Sequence, residues 1–340
     1  MTYAPFSISR RSFLAGTTAV AASTLTGSLG RPAYAADYPA QNLNVTVPTG
    51  QGGGADRLSR TFFDTWKKHL GVGYKPEFFK GAAGQIGYEL YMHKRPHDGH
   101  HLLFGNMGAE MIMYALQNPN FKYPEDYHYF CGIDIDSVGM WVLGDSPYHH
   151  IDEVIEVALK RPVTVAVSRL PHPGTIGLMA LAEATGAQFN IIPYGGGNPQ
   201  TVAVMNKECE VGGGGVTGYQ EGRRVLVVFN QEEFALSGKP NYGTPVLANK
   251  HFGTNIPEVY SNRAWAVHAD WADAHPKEYE FLVTTAAKVF TDPQFKADII
   301  ARKDPPWDIM SYKNPAQCKT FALGMMEMAK KYKTQLTKKG

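Results

Sequence analysis

The chain has 340 residues, 44% of them apolar, with 33 Lys and Arg against 31 Asp and Glu. This is an ordinary globular composition, long enough for two domains or one large one. A formal charge of +2 without a basic stripe gives nucleic-acid binding no support.

Residues 1–35 read as an export signal. "SRRSFLAG" precedes a mildly apolar stretch, and Ala33-Tyr34-Ala35 forms a small-x-small cleavage signal before Ala36. The apolar stretch is too short and too rich in Thr, Ser and Gly to span a bilayer. "SRRSFL" matches the twin-arginine consensus S-R-R-x-F-L-K, with Ala15 in place of the Lys. No Cys follows the cleavage site, so a lipid anchor is not expected. Cleavage removes Arg10, Arg11 and Arg31 and no acid, moving the formal charge from +2 to −1. No later stretch has the length and apolarity of a membrane helix, so the expected product is a soluble periplasmic protein.

From residue 43 onward strand-like and helical runs alternate. "LNVTV" (43–47) leads into a helix over 56–69, and "HLLFG" (101–105) into "AEMIMYALQ". "VTVAV" (163–167) leads to "TIGLMALAEATG", and "FNIIPY" (189–194) to "NPQTVAVMNK". Steps of this kind predict parallel sheets covered by helices. Two stretches read as crossings between lobes, 130–156 and 256–271, and the chain beyond is mostly helical. A double crossing makes two α/β lobes joined by a hinge, with a cleft between them. The expected division is 36–139 plus 263–340 for lobe I and 140–262 for lobe II.

Glycine is concentrated in four candidate loops: "TGQGGGAD" (49–56), "KGAAGQIG" (80–87), "HPGTIG" (172–177) and "YGGGNPQ" (194–200). A helix N-terminus leaves N–H groups unpaired and carries partial positive charge, and glycine lets an anion reach it. Several such loops around one cleft would receive a carboxylate or a phosphate; each alone is also an ordinary tight turn. Gly50, Gly52 and Ala55 formally satisfy the dinucleotide fingerprint, with Glu77 at the spacing of its acidic partner. Against a dinucleotide enzyme stand the extra glycines, Asp56 beside the expected pyrophosphate, and the lack of a hydride-transfer, nucleophile–base or metal constellation. "GVTGYQ" has no nucleophile serine.

These motifs carry a resemblance to the periplasmic solute receptors of tripartite tricarboxylate transporters, the Bug proteins, over essentially all of 37–340. Tyr38-Pro39 and "VPTGQGGGAD" match the family's opening, and 81–87 its G-A-G-G-x-I-G loop. "PHDGHHLLFG" (96–105) matches P-D-G-Y-T-L-L-x-G with an extra residue, and "YGGGNP" matches Y-K-G-G-x-P with Gly195 for Lys. The resemblance implies a periplasmic-binding-protein-like (Venus flytrap) α/β fold that closes on a small organic carboxylate. It implies ligand contacts from Gly53, Gly54, Ala55 and Asp56, and from Ala82, Ala83, Gly84 and Gln85, through main-chain N–H groups. Ser168, His172, Gly174, Thr175, Tyr194 and Gly196 would meet the distal end of the ligand. Thr217 joins them, although the glycine run at 210–220 departs from the family pattern. The implied partners are the membrane subunits of such a transporter. The receptor is expected to act as a monomer without enzyme activity, cofactor or metal. A sensor's ligand-presenting subunit would share the same fold and site.

Asp56 reads alternatively as a helix N-cap, His172 as loop structure and Tyr194 as packing. Gln85 could donate a side-chain hydrogen bond, and Trp141 suits hinge packing. His93 and His97 have i, i+4 spacing, but Pro96 and Asp98-Gly99 favour a solvated turn over zinc. Cys131, Cys209 and Cys318 fit no metal spacing and leave a bridged pair or buried thiols open.

Overall fold

A computed structural model describes residues 38–229, 234–256, 258–303 and 305–337. The export segment 1–35 and Ala36 lie outside the described residues.

The first part of the chain builds β1 (Leu43–Val47), α1 (Gly54–Leu70), β2 (Tyr74–Phe78), a 3-10 turn (Ala82–Gly84), α2 (Gln85–Lys94), β3 (His101–Asn106), α3 (Met107–Gln117) and β4 (Tyr127–Asp134). One residue on, β5 (Asp136–Leu143) opens a second set. It continues with α4 (Ile151–Ala158), β6 (Val163–Val167), α5 (Pro173–Thr185), β7 (Phe189–Pro193), α6 (Gly197–Met205), β8 (Val211–Gly215) and β9 (Arg223–Val228). β10 (Val246–Leu247), α7 (Ala248–Phe252) and β11 (Tyr260–Ser261) complete it. The chain then returns through β12 (Arg263–His268), α8 (Ala269–Ala274), α9 (Pro276–Val289), α10 (Pro293–Arg302), β13 (Met310–Lys313), α11 (Pro315–Lys331) and α12 (Lys333–Thr337).

Two sheets result. One runs β13-β4-β12-β3-β1-β2; the other runs β10-β9-β5-β8-β6-β7, with β11 on the start of β5. The sheets are mixed, not parallel as the βα rhythm predicts. β1 pairs parallel with β2 and β3, and β6 with β7 and β8. β12 is antiparallel to β3 and β4, and β5 to β8 and β9. Parallel neighbours need a long crossover between them. β4 and β5, and β11 and β12, are instead joined by single residues, Ile135 and Asn262, as the chain steps from sheet to sheet. The two steps are adjacent: Ser261 pairs with Asp136, and Asn262 Nδ2 donates to the carbonyl of Asp134.

The core over the first sheet is aromatic. Trp66 of α1 lies 5.1 Å, centre to centre, from Trp265 of β12, with Phe62, Phe63 and Phe104 around them. The Trp66 Nε1 donates to Thr285 Oγ1 of α9 at 3.0 Å, so the indole is buried with its polar atom satisfied. α1 begins at Gly54, two residues before its expected start, so the last glycine of the first loop is already its first helical residue.

Within the glycine-rich stretch at 210–220, residues 211–215 form a strand. Gly212 to Gly215 form most of β8, paired with β5 on one side and β6 on the other. Trp141 belongs to β5 and packs against this strand, not at the crossing. Cys131, Cys209 and Cys318 are free and buried.

Candidate functional site

The first glycine loop ends in the N-terminus of α1. Gly53 is the N-cap residue and supplies no side-chain cap. Asp56, expected as the cap, stands three residues further on and reaches back. Its Oδ2 accepts from the Gly52 N–H at 2.8 Å, and its Oδ1 from Arg60 Nε at 2.5 Å. The carboxylate thus ties the first turn of α1 back to Gly52, the residue before the N-cap. This occupies Asp56 and leaves the first N–H groups of α1 to other partners. Gly54 faces Arg263: a Cβ there would lie 3.3 Å from Nη2.

The second loop is conformationally extreme. Gly81, Ala82, Ala83 and Gly84 all have positive φ, at 133°, 45°, 56° and 109°. Alanines in the left-handed region are uncommon and cost energy that the surroundings must hold in place. The turn delivers Gly84 as the N-cap of α2. It also lies against Pro48, which joins β1 to the first loop: a Cβ on Gly84 would be 3.6 Å from the Pro48 carbonyl, and one on Gly87 2.8 Å from Pro48 Cα. The Gln85 side chain is taken by Glu89 at 2.6 Å, which leaves its backbone as the group available at the helix start.

Across from these loops stands α5. His172 is its N-cap, and its Nδ1 accepts from the Gly174 N–H at 3.1 Å. Burial, with the charges of Arg169 and Arg263, holds the ring neutral and lowers its pKa to about 3. The proton is thereby assigned to Nε2. Pro173 meets Gly108 of α3, so the start of α5 touches the first set of elements. Gly174 lies on Gly214, where a Cβ would come 2.4 Å from Cα. Thr175 is buried and donates to the Arg169 carbonyl at 3.2 Å. Ser168, half-buried, leads from β6 into this turn.

The structure does not bring all candidates together. The Tyr194 hydroxyl lies 3.4 Å from Glu208 and from Cys209, turned to those residues. Gly196 caps α6, whose buried Gln200 donates to the carbonyls of Ala166 and Gly213. Thr217 Oγ1 is given to Asp136. His93 contacts Asn120 and His97 contacts Asp270, each at 2.7–2.8 Å, and no metal-competent cluster exists among the described residues. Glu77, the acid at dinucleotide spacing, is paired with Arg95.

Five charged residues that sequence reading missed stand at the meeting of the two sets. Arg263, the first residue of β12, pairs with Asp134 and, at 3.0 Å, with Asp136. Burial raises Asp134 to about 6 against the pull of Arg263. Arg169 Nη1 donates to the Ala83 carbonyl at 2.9 Å and stands 3.5 Å from the buried Glu110. The available signal was chemical: a lone acid inside the apolar helix "MGAEMIMYALQ", and an arginine two residues past the end of an apolar strand.

No family model matches the chain. Protein BugT of Bordetella pertussis is 26% identical over 192 residues, 53% of this chain and 56% of that one. The match thus spans little more than half the length of this curated relative. Among solved structures, a TctC solute-binding protein from Polaromonas has a TM-score of 0.63 at 20% identity, covering 87% of this chain and 98% of that one. R. palustris Rpa4515 with adipate has a TM-score of 0.70 at 16% identity, covering 88% and 98%. By fold over most of its length, and by sequence over about half of it, the chain resembles the Bug and TctC solute-binding proteins, the family its glycine loops point to.

Proposed function

We propose that the chain is an exported receptor that captures a small organic carboxylate and delivers it to the membrane subunits of a tripartite tricarboxylate-type transporter. The observation that carries this is the pair of glycine-opened helix starts, α1 after Gly53 and α2 after Gly84, the second packed on Pro48 at the root of the first loop and the first beside the Arg263 guanidinium. Two helix N-termini make an anion site from main-chain N–H groups. The first-loop residues Gly53, Gly54 and Ala55 and the second-loop residues 82–85 hold one carboxylate in this reading, and α5 closes on it. Asp56 organises the first loop. Tyr194, Gly196 and Thr217 belong to the support of the second sheet.

The receptor reading is favoured over an enzyme because the like-folded proteins carry binding-protein names and because Glu77 is engaged by Arg95. Export to the periplasm rests on the signal at 1–35, and no described helix is long and apolar enough to cross a membrane. The chain acts as a monomer in this reading. Calorimetric titration of the purified protein with acetate, succinate, adipate and citrate tests it. Saturable binding without consumption of the acid is expected. Turnover of the acid, or a nicotinamide chromophore in the purified protein, would overturn it.

A further inference from the structure

Glu110 lies in the first turn of α3 and is fully buried. Neither of its carboxyl oxygens has a hydrogen-bond partner. The group faces the second glycine loop: a Cβ on Gly84 would stand 3.5 Å from its Cγ and Oε1, and one on Gly105 3.6 Å from Oε2. The cation beside it is Arg169, with Nη1 at 3.5 Å from Oε1. Arg169 belongs to the β6–α5 connection, yet it donates to Ala83 in the second loop. Its guanidinium therefore crosses from the second set of elements to the first, next to the proposed carboxylate cradle.

The other ionisable groups acting with Glu110 are phenols: Tyr88 from α2, and Tyr127 and Tyr129 from β4. Burial pushes all three above their ordinary range, so they stay neutral. The local charge is then a contest between two partners for Arg169. A carboxylate that is buried without hydrogen bonds is strongly disfavoured as an anion. A guanidinium that is not matched by an internal anion remains able to pair bidentately with an external carboxylate.

We propose that Glu110 is a positioning residue that sets the availability of Arg169. While neutral, it leaves the guanidinium to pair with the ligand carboxylate across the two halves; when ionised, it takes that guanidinium for itself. The inference rests on the carboxylate reading above and narrows it. The ligand is an acid held by a side-chain cation as well as by main-chain N–H groups, and it is bound less tightly as pH rises. Burial outweighs Arg169 and pushes Glu110 up to about 8. His172 and Asp134, at about 3 and about 6, titrate below this window.

The test is the titration of the same four acids at pH 7 and pH 9, in wild type, Glu110→Gln and Arg169→Met. One pH unit above a midpoint near 8, about a tenth of the receptor keeps the proton, so wild-type affinity should fall about tenfold. Glu110→Gln should bind at pH 9 as wild type does at pH 7, and Arg169→Met should bind more weakly at both. Equal wild-type affinity at the two pH values overturns the inference and leaves the carboxylate reading intact. No binding of any acid at either pH overturns both. An infrared titration of the ligand-free wild type is independent of the ligand. It should show a protonated carboxyl at pH 7 that disappears toward pH 9 and is missing from Glu110→Gln, and its absence from wild type at pH 7 overturns the inference. Circular dichroism controls for folding, and if Glu110→Gln does not fold, Arg169→Met and the wild-type infrared titration still decide.

Discussion

Trp141 covers Gly212 so closely that a Cβ on that glycine would sit 2.2 Å from the indole Cε2. The contact joins β5 to β8 in the middle of the second sheet. Gly212→Ala should therefore cost stability by overpacking, about 1–3 kcal/mol. Urea denaturation measures it, and Trp141→Leu on the same background should recover part of the loss. An alanine variant as stable as wild type would show that the strands can separate to admit the methyl group.

Arg263 holds two acids that are close to fully buried. Removing it strands them, and breaking such a pair by deleting one partner costs about 3–5 kcal/mol. Arg263→Met should be destabilised by that order at pH 7 and by less at pH 5. The sign follows from Asp134, whose folded-state pKa is raised to about 6 from an ordinary value near 4. The native state holds that proton more tightly than the unfolded chain, so stability falls as pH rises across this window. Thermal melts at the two pH values give the comparison, and an equal loss at both would exclude Asp134 as the stranded group.

His172 works in the opposite sense. Its folded pKa is lowered to about 3, below the ordinary value of 6.5, so the unfolded chain binds the proton first. Stability should fall as pH falls from about 6.5 toward 3. His172→Asn keeps an N-cap acceptor for Gly174 without a titrating ring. Its melting temperature should vary less over that range than that of wild type, and an unchanged pH profile would remove His172 from the account.

The two glycine loops separate backbone from side chain. Gly54→Val places bulk beside Arg263 at a φ that valine tolerates, and should abolish carboxylate binding in a folded protein. Gly84→Val is a poorer probe, because φ of 109° strains any L residue there. Gln85→Ala loses only the contact to Glu89 and should change affinity less than about threefold, since each charged hydrogen bond kept is worth about 1.5–3 kcal/mol. Calorimetry on Gly54→Val and Gln85→Ala decides, and near-normal binding by folded Gly54→Val would place the ligand elsewhere.

Much of this molecule was legible in the chain itself. β1 and β6 fall at the residues expected for them, 43–47 and 163–167, because those strands are short, apolar and sharply bounded. The direction of β5 and β12 was not legible, since a strand that leaves one sheet for another looks like any other apolar run. "VGGGG" was noted only as a departure from the family pattern and not as a strand, because glycine is a poor strand former. Here Trp141 on β5 and Leu178 on α5 take the volume its side chains would have filled. Asp56 was read as the helix N-cap, but its register relative to the cap depended on where the helix began, and Gly53 takes that position. Arg169 and Glu110 are 59 residues apart in sequence, and nothing in either local pattern states that they meet.

The two links between the sheets are each one residue long, Ile135 and Asn262, and they lie beside one another. A pair of adjacent, inextensible tethers resists shear and separation, because either would stretch both peptides together. Rotation about their common line is the displacement they permit with least resistance. For the receptor proposed above, what a membrane partner would sense is thus an angle and not a distance.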